Sequence, residues 1–249
     1  MIAGKSRLSP LSANETFPIA PDWRQTWLLL DRGSWGFENI EIISDSQSQF
    51  LRVHYPSGSA SPIVASRDGA PWGGAQFYSP LAVGGQTRMR LRYRLRFSDN
   101  FDFARGGKLP GMYGGDGNSG GNIPDGTDGF STRLMWRGDG IGEIYAYLPS
   151  SERYGTPIGQ GNWQFSPGQW YVLEQELQLN QPGKADGQLR LWVNGQLVVE
   201  ESDLVFRTVD TLHVDGLFFS TFFGGGDASW ATPRDVYIDF SDFSLTTVL

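Results

Sequence analysis

Two strand-like stretches of this sequence carry the side chains best suited to chemistry. Residues 130–137 read FSTRLMWR, and residues 143–148 read EIYAYL after the short loop GDGIG. Residues two apart share one face of a β-strand, so a hairpin of these stretches collects polar, aromatic and cationic side chains on one face. That face holds Ser131, Arg133, Met135, Arg137, Glu143, Tyr145 and Tyr147. The opposite face is apolar and predicts contact with a hydrophobic core.

This polar face has two interpretations. Two tyrosines beside an arginine on one sheet face could bind a uronate sugar. Alternatively, the face is simply solvated, as polar sheet faces usually are. A loop centred on Gly140 predicts three opposed pairs across the hairpin: Arg137 with Glu143, Met135 with Tyr145, and Arg133 with Tyr147.

A second pattern places five arginines on one face of a single strand. Residues 87–97 (TRMRLRYRLRF) alternate strictly, and the arginines are Arg88, Arg90, Arg92, Arg94 and Arg96. Like charges in a row repel each other, so acidic neighbours or an anionic ligand should offset them. The first option predicts ion pairs on a solvated face, and the second predicts a cationic floor for a polyanion. We include Arg92 among the candidate substrate-binding residues.

The segment that follows the arginine strand is rich in glycine. Glycine weakens a strand interior, and long connections in compact domains are often functional, so we expect a long functional loop. It contains Lys108 within GGKLPG, which lacks the spacing of a phosphate-binding loop. A solvated loop lysine is the simpler interpretation. Asp116 and Asn118 are spaced as in a calcium loop, but Thr127 stands where that loop needs Glu, so calcium binding is only weakly supported.

The remaining strand signals predict an all-β fold. Alternating or apolar stretches recur between turn residues, and none carries a sustained apolar stripe at the helical period. Asn194 and Gly195 form a strong two-residue hairpin signal. We expect one jelly-roll β-sandwich of two antiparallel sheets over residues 21–249, after a poorly structured lead-in over residues 1–20. The other predicted strands cover residues 49–55, 170–179, 189–193, 196–200, 216–223 and 235–245.

Composition excludes several classes of protein. The 249 residues carry a net charge of −7, which lacks the basic footprint of a nucleic-acid-binding protein. There is no cysteine, which excludes disulfides, thiol catalysis and zinc–thiolate sites. The sequence contains no run of about 18 apolar residues, so it predicts no membrane span. Residues 1–17 lack the apolar core of a signal peptide. We interpret both histidines, His54 and His213, as structural.

Taken together, the motifs resemble polysaccharide lyase family 14, which includes alginate lyases and glucuronan lyases. They are GGKLPG, GFSTRLMWR and EIYAY, then FFSTFFGG and VYIDFSDF, and the resemblance spans roughly residues 75–245. It implies a β-jelly roll with a substrate cleft on the concave sheet. It also implies five site residues, which are Lys108, Ser131, Arg133, Tyr145 and Tyr147. Four of them belong to the hairpin face described above.

The reaction implied by the resemblance is β-elimination at a 4-linked uronic acid. It requires neutralisation of the sugar carboxylate, removal of the C5 proton and protonation of the leaving O4. Arg133 is the candidate carboxylate clamp, because a guanidinium suits a planar carboxylate. Tyr145 or Tyr147 would carry the protons, with the pKa of a basic tyrosine lowered by neighbouring cations, and Lys108 is the alternative base.

Ser131 would hydrogen-bond the sugar or its carboxylate, and Met135 and Arg137 would complete the binding face. The scheme needs no metal or other cofactor. The expected partner is an acidic polysaccharide, and we expect a monomer that acts outside the cell.

Two rival functions remain at the level of the sequence. A jelly roll can also be a non-catalytic carbohydrate-binding module, but the intact candidate residues argue against it. A jelly-roll glycoside hydrolase would use two carboxylates flanking the bond. Glu174 and Glu176 have the alternating spacing of such a pair, although a solvated sheet face explains them equally well.

Overall fold

A computed structural model describes residues 14–44, 48–82 and 84–248 as a sandwich of two β-sheets. In chain order, the strands within these ranges are β1 (Asn14–Phe17), β2 (Ile40–Ser44), β3 (Gln49–Tyr55), β4 (Ala75–Pro80), β5 (Arg88–Phe97), β6 (Gly106–Gly115), β7 (Gly129–Arg137), β8 (Gly142–Tyr147), β9 (Thr156–Ile158), β10 (Trp170–Gln178), β11 (Gly187–Val193), β12 (Gln196–Leu204), β13 (Gly216–Thr221) and β14 (Val236–Thr247). Two short helices, α1 (Trp23–Thr26) and α2 (Pro62–Asp68), lie in connections. In the described ranges, no helix has the length and apolar character needed to cross a membrane.

The two sheets have the interleaved strand order of a jelly roll. One sheet has eight strands in the order β12-β11-β10-β5-β14-β3-β2, with β1 also paired to β14. The other has six strands in the order β4-β13-β6-β7-β8-β9, and all pairings in both sheets are antiparallel. The predicted fold class is therefore confirmed.

The core lies between the sheets because each strand turns its apolar residues inward. In β5, burial alternates residue by residue, and every apolar side chain from Met89 to Phe97 is buried. From the opposite sheet, the Trp136 ring lies 5.8 Å from the Phe97 ring and 5.3 Å from the Phe223 ring. Since Trp136 faces the core, its neighbours Met135 and Arg137 must face outward.

The expected hairpin at Asn194 and Gly195 is confirmed. These two residues join β11 to β12 with φ values of 51° and 80°. Positive φ at both central residues is the requirement of a type I′ turn, which suits the twist of the flanking strands.

Two predictions about local structure are wrong. Residues 14–17 of the expected lead-in form β1 and pair with β14, while residues 1–13 lie outside the described residues. Within the glycine-rich segment, residues 106–115 form β6, a central strand between β13 and β7. A Cβ on Gly107 would lie 2.1 Å from the Trp136 ring, and a Cβ on Gly111 would lie 2.1 Å from the Thr132 carbonyl oxygen. Glycine here permits close approach rather than a flexible loop.

Candidate active site

All of the candidate residues except Arg92 lie together on the outer face of the six-stranded sheet. Lys108 of β6 is opposite Met135 of β7, and Arg133 is opposite Tyr145 of β8. The predicted hairpin register, with Arg133 opposite Tyr147, Met135 opposite Tyr145 and Arg137 opposite Glu143, is therefore wrong by two residues, because Met135 is opposite Glu143. The loop is centred on Asp139, whose φ is 61°, rather than on Gly140. The face on which each residue lies does not change.

Arg133 is a buried cation without a carboxylate partner among the described residues. Its side chain is 3% exposed. Nη1 donates a hydrogen bond to the Ser220 hydroxyl at 3.0 Å, the guanidinium lies 4.7 Å from the centre of the Phe218 ring, and Nε has no acceptor in the described part of the chain. Burial lowers the pKa of this guanidinium, and a buried charge with so few partners is costly to the folded state.

Lys108 lies beside Arg133 in a setting that disfavours its charge. Its Nζ donates to the Met135 sulfur at 2.7 Å and lies 3.7 Å from the centre of the Tyr145 ring. Burial lowers the pKa of Lys108 well below its ordinary value, and the positive charges of Arg133 and Arg137 lower it further. Glu143 opposes this effect. Lys108 is thus a lysine with an increased neutral fraction, which is what a proton acceptor requires.

The two tyrosines stand side by side on β8 but have different surroundings. Their rings are edge to face at 5.6 Å, and the Tyr147 hydroxyl accepts a hydrogen bond from the Gly121 amide at 3.0 Å. Burial raises the pKa of Tyr145 to about 12, more than the nearby arginines lower it. For Tyr145, the expected lowering of the tyrosine pKa is therefore wrong, because loss of water outweighs the field of the cations.

Ser131 connects the sheet to the glycine-rich loop that follows β6. It is fully buried, and its hydroxyl donates to the Asn118 carbonyl oxygen at 2.5 Å. Asn118 in turn donates to the Asp128 carboxylate at 2.8 Å. The structure therefore gives Ser131 a role in holding the loop beside the tyrosines.

Met135, Arg137 and Glu143 form the other side of Lys108. Arg137 Nη2 donates to Glu143 Oε1 at 2.6 Å, in an ion pair whose carboxylate is fully buried. Glu143 Oε2 has no partner among the described residues. The Arg137–Glu143 ion pair that the sequence suggested does form, although these two residues are not directly opposite each other in the hairpin.

Arg92 lies away from this cluster, on the outer face of the eight-stranded sheet. In our structure the arginine stripe of β5 pairs with acidic side chains of neighbouring strands, including Glu174, Glu176 and Asp239. Arg92 itself lies 3.7 Å from Glu174. The interpretation of the stripe as an ion-paired face is therefore correct, and the inclusion of Arg92 with the other substrate-binding candidates is not supported.

The same placement weakens the hydrolase alternative. Glu174 and Glu176 are on the outer face of β10 in the eight-stranded sheet, and Glu176 is held by Arg88, Arg90 and Arg190. Residue ladders of this kind stabilise a sheet face, and here they engage both Glu174 and Glu176 with arginines. In the described ranges, no group of three or more His, Cys, Asp or Glu side chains is arranged to hold a metal ion.

Sequence reasoning missed the residues that support Arg133 from β13 and β4. The Ser220 hydroxyl that accepts from Arg133 donates to Gln76 Oε1 at 3.1 Å. The Phe218 ring under the guanidinium stacks on Tyr78 at 4.2 Å. The sequence predicts a strand over the nearly apolar stretch 216–223, but its alternate residues Phe218 and Ser220 face outward. Ser220, a polar residue two positions after Phe218, was the sequence signal that this strand also has an outward face.

Known proteins similar to this chain in sequence and fold include polysaccharide lyases. The model of the family Polysaccharide lyase 14 matches residues 43–243. The alginate lyase of family PL-14 from Aplysia kurodai is 35% identical, with a TM-score of 0.76 over 87% of this chain and 90% of that chain. The alginate lyase Aly36B is 25% identical, with a TM-score of 0.76 over 96% of both chains.

A more distant likeness concerns the fold alone. The endo-β-1,4-glucuronan lyase of the fungus Trichoderma reesei is 11% identical, with a TM-score of 0.58 over 88% of this chain and 90% of that chain. No curated protein matches the chain by sequence. The resemblance that the motifs carried is confirmed by the family match.

Proposed function

Since the chain belongs to polysaccharide lyase family 14 and is a lyase, we propose that it cleaves a 4-linked uronate polymer, alginate or glucuronan, by β-elimination. The observation that carries the proposal is the buried guanidinium of Arg133, which lacks a carboxylate partner among the described residues. A uronate carboxylate is planar and anionic, so it supplies the acceptor that this guanidinium lacks. Solved relatives include Aly36B variants in complex with alginate trisaccharide and tetrasaccharide.

Neutralisation of the carboxylate is the first requirement of the reaction. Binding to Arg133 withdraws electron density from the carboxylate and makes the neighbouring C5 proton more acidic. The site is largely shielded from water, which strengthens this interaction relative to an exposed pair. Ser220 and Phe218 keep the guanidinium in place, because one accepts its hydrogen bond and the other lies under its plane.

Lys108 is the group best suited to remove the C5 proton. Its lowered pKa increases the fraction of neutral amine near neutral pH, and a neutral amine has the free electron pair that a base needs. As the C5–H bond breaks, its electron pair forms the C4–C5 double bond, and the C4–O4 bond breaks. The proton stays on Lys108, which returns it to water after product release.

Tyr145 is suited to protonate the leaving oxygen. With a pKa of about 12 it keeps its proton in neutral solution, and its ring lies directly beside Lys108 Nζ. Transfer of the phenolic proton to O4 completes the elimination, and the phenolate recovers a proton from water. Tyr147 holds the Gly121 amide, so its contribution is to position the loop over the site.

The test is an ultraviolet assay for the unsaturated uronate end, with polymannuronate, polyguluronate and β-1,4-glucuronan as parallel substrates. We expect an absorbance rise on at least one polymer and its loss in Arg133→Ala. Arg92→Ala is the matched control, because it removes an arginine from the other sheet and should keep full activity. New reducing ends without absorbance would show hydrolysis, and a flat trace on all three polymers with bound polymer would show a binding module. Either result would refute the proposal.

A further inference from the structure

Two large aromatic side chains are exposed on opposite sides of the Lys108–Arg133 centre. Trp72 is 43% exposed and Tyr154 is 52% exposed. Single exposed hydrophobic side chains are common and need no explanation by themselves. These two differ because a continuous series of contacts connects each of them to the proposed site.

On the β4 side, the connection consists of aromatic rings. The Trp72 ring meets the Trp35 ring at 5.6 Å, and the Trp35 ring meets the Phe222 ring at 5.7 Å. The Phe222 carbonyl oxygen accepts a hydrogen bond from the Lys108 amide at 2.9 Å. The backbone of Trp35 also pairs with Gln76, so these rings extend the sheet face beyond its edge strand.

On the β8 side, the connection runs through two glycines. A Cβ on Gly155 would lie 2.9 Å from the rings of both Tyr145 and Tyr147, so the loop before β9 rests directly on the tyrosines. Gly121, whose amide binds the Tyr147 hydroxyl, has the Tyr154 ring as its neighbour. The Arg153 guanidinium lies 5.3 Å from the centre of the Tyr154 ring and adds positive charge at this end.

Trp72 lies on the β4 side of the site, and Tyr154 lies on the β8 side. From β4 to β8 there are four strand spacings, through β13, β6 and β7, or about 19 Å at the usual spacing of neighbouring strands. This span is longer than a single sugar ring. A polymer lying across the strands would therefore reach both aromatic ends and place an interior sugar over Arg133.

We propose that Trp72 and Tyr154 are stacking platforms for sugar rings on the two sides of the cleavage point, so that one uronate polymer contacts both aromatic rings. The proposal rests on the lyase function proposed above. The flat apolar face of an aromatic ring complements the C–H face of a pyranose, and this contact does not depend on charge. Added salt therefore weakens the carboxylate contacts much more than the stacking.

The experiment compares Trp72→Ala and Tyr154→Ala with the wild type, on whichever of polymannuronate, polyguluronate and β-1,4-glucuronan the wild type cleaves fastest. We expect KM for the polymer to rise about threefold to tenfold in each variant, with kcat retained, from the typical strength of one aromatic contact. The ratio of variant to wild-type KM should not change with added salt. Two internal controls accompany these variants. Trp72→Phe keeps a flat ring and should recover most of the affinity. A trimer substrate is too short to reach both aromatic ends.

Leu197→Ala is the matched surface control, since Leu197 is also 43% exposed but lies on β12 of the other sheet. An active wild type whose KM is unchanged in both alanine variants would overturn the platforms. A wild type inactive on all three polymers would instead refute the lyase reaction itself, and the platforms with it.

Discussion

Replacement of Arg133 by methionine should separate function from stability. Methionine has a similar length and no charge, so Arg133→Met removes a buried cation that has one hydroxyl acceptor and no carboxylate among the described residues. The Ser220 hydroxyl loses the donor from Arg133 but still donates to Gln76, so no buried hydroxyl hydrogen is left without an acceptor. We expect the folded state to gain about 1–3 kcal/mol, because a costly buried charge is removed. For a chain of this size that corresponds to a melting temperature higher by roughly 2–12 °C.

Activity should change in the opposite direction. If Arg133 neutralises the substrate carboxylate, its loss removes stabilisation that develops in the transition state, and kcat should fall about 10²- to 10³-fold. Thermal melting and the ultraviolet assay on the same preparation measure the two effects. A variant that is both less stable than the wild type and still active would refute the reasoning, since Arg133 would then be a structural arginine.

Arg207→Met is the matched control for this experiment. Arg207 is also a buried arginine, but its guanidinium donates to the carbonyl oxygens of Asn180, Asp210 and Leu212. Its removal leaves these oxygens without their donor, so we expect a loss of about 3 kcal/mol or more of stability. The kcat of the folded fraction should stay at the wild-type value, because Arg207 lies outside the proposed site.

Four further predictions concern Lys108, Tyr145 and Gly107. Since Lys108 is proposed to act as a neutral amine, kcat/KM should rise with pH through its lowered pKa, and Glu143→Gln should move this limb to lower pH because Glu143 raises the pKa of Lys108. Stability should also increase with pH between the lowered folded-state pKa of Lys108 and the ordinary pKa of lysine, because the unfolded chain binds more protons in this range. Lys108→Met should flatten this dependence. Tyr145→Phe should lower kcat at least about 10²-fold, and any loss of wild-type activity from ionisation of Tyr145 should have its midpoint near a pH of about 12. Gly107→Ala should destabilise the fold by about 1–3 kcal/mol, because its Cβ would meet the ring of Trp136 at 2.1 Å.

Three of these predictions have a clear contrary result. A limb that moves to higher pH in Glu143→Gln would show that Lys108 is not the group titrating. Full activity in Tyr145→Phe would remove Tyr145 as the proton donor. An unchanged denaturation midpoint in Gly107→Ala would mean that β6 can move away from the Trp136 ring.

The face on which each candidate residue lies could be predicted from the sequence alone. Side chains alternate across a strand whatever its partners are, so the motif residues from Ser131 to Tyr147 shared one face even with the wrong register. The same regularity placed Trp136 in the core. The family resemblance then added Lys108, which no alternation pattern connected to the hairpin.

Only the tertiary structure decided which faces meet and what surrounds them. The register of the hairpin depended on a loop residue with positive φ, Asp139. The strand β6 depended on how closely Trp136 approaches Gly107. The arginine stripe and the site face follow the same alternation rule, yet they lie on opposite sheets. The pKa of Tyr145 is raised rather than lowered, because desolvation depends on packing by residues far apart in sequence. Local pattern determines orientation, whereas burial and charge pairing are properties of the assembled sheets.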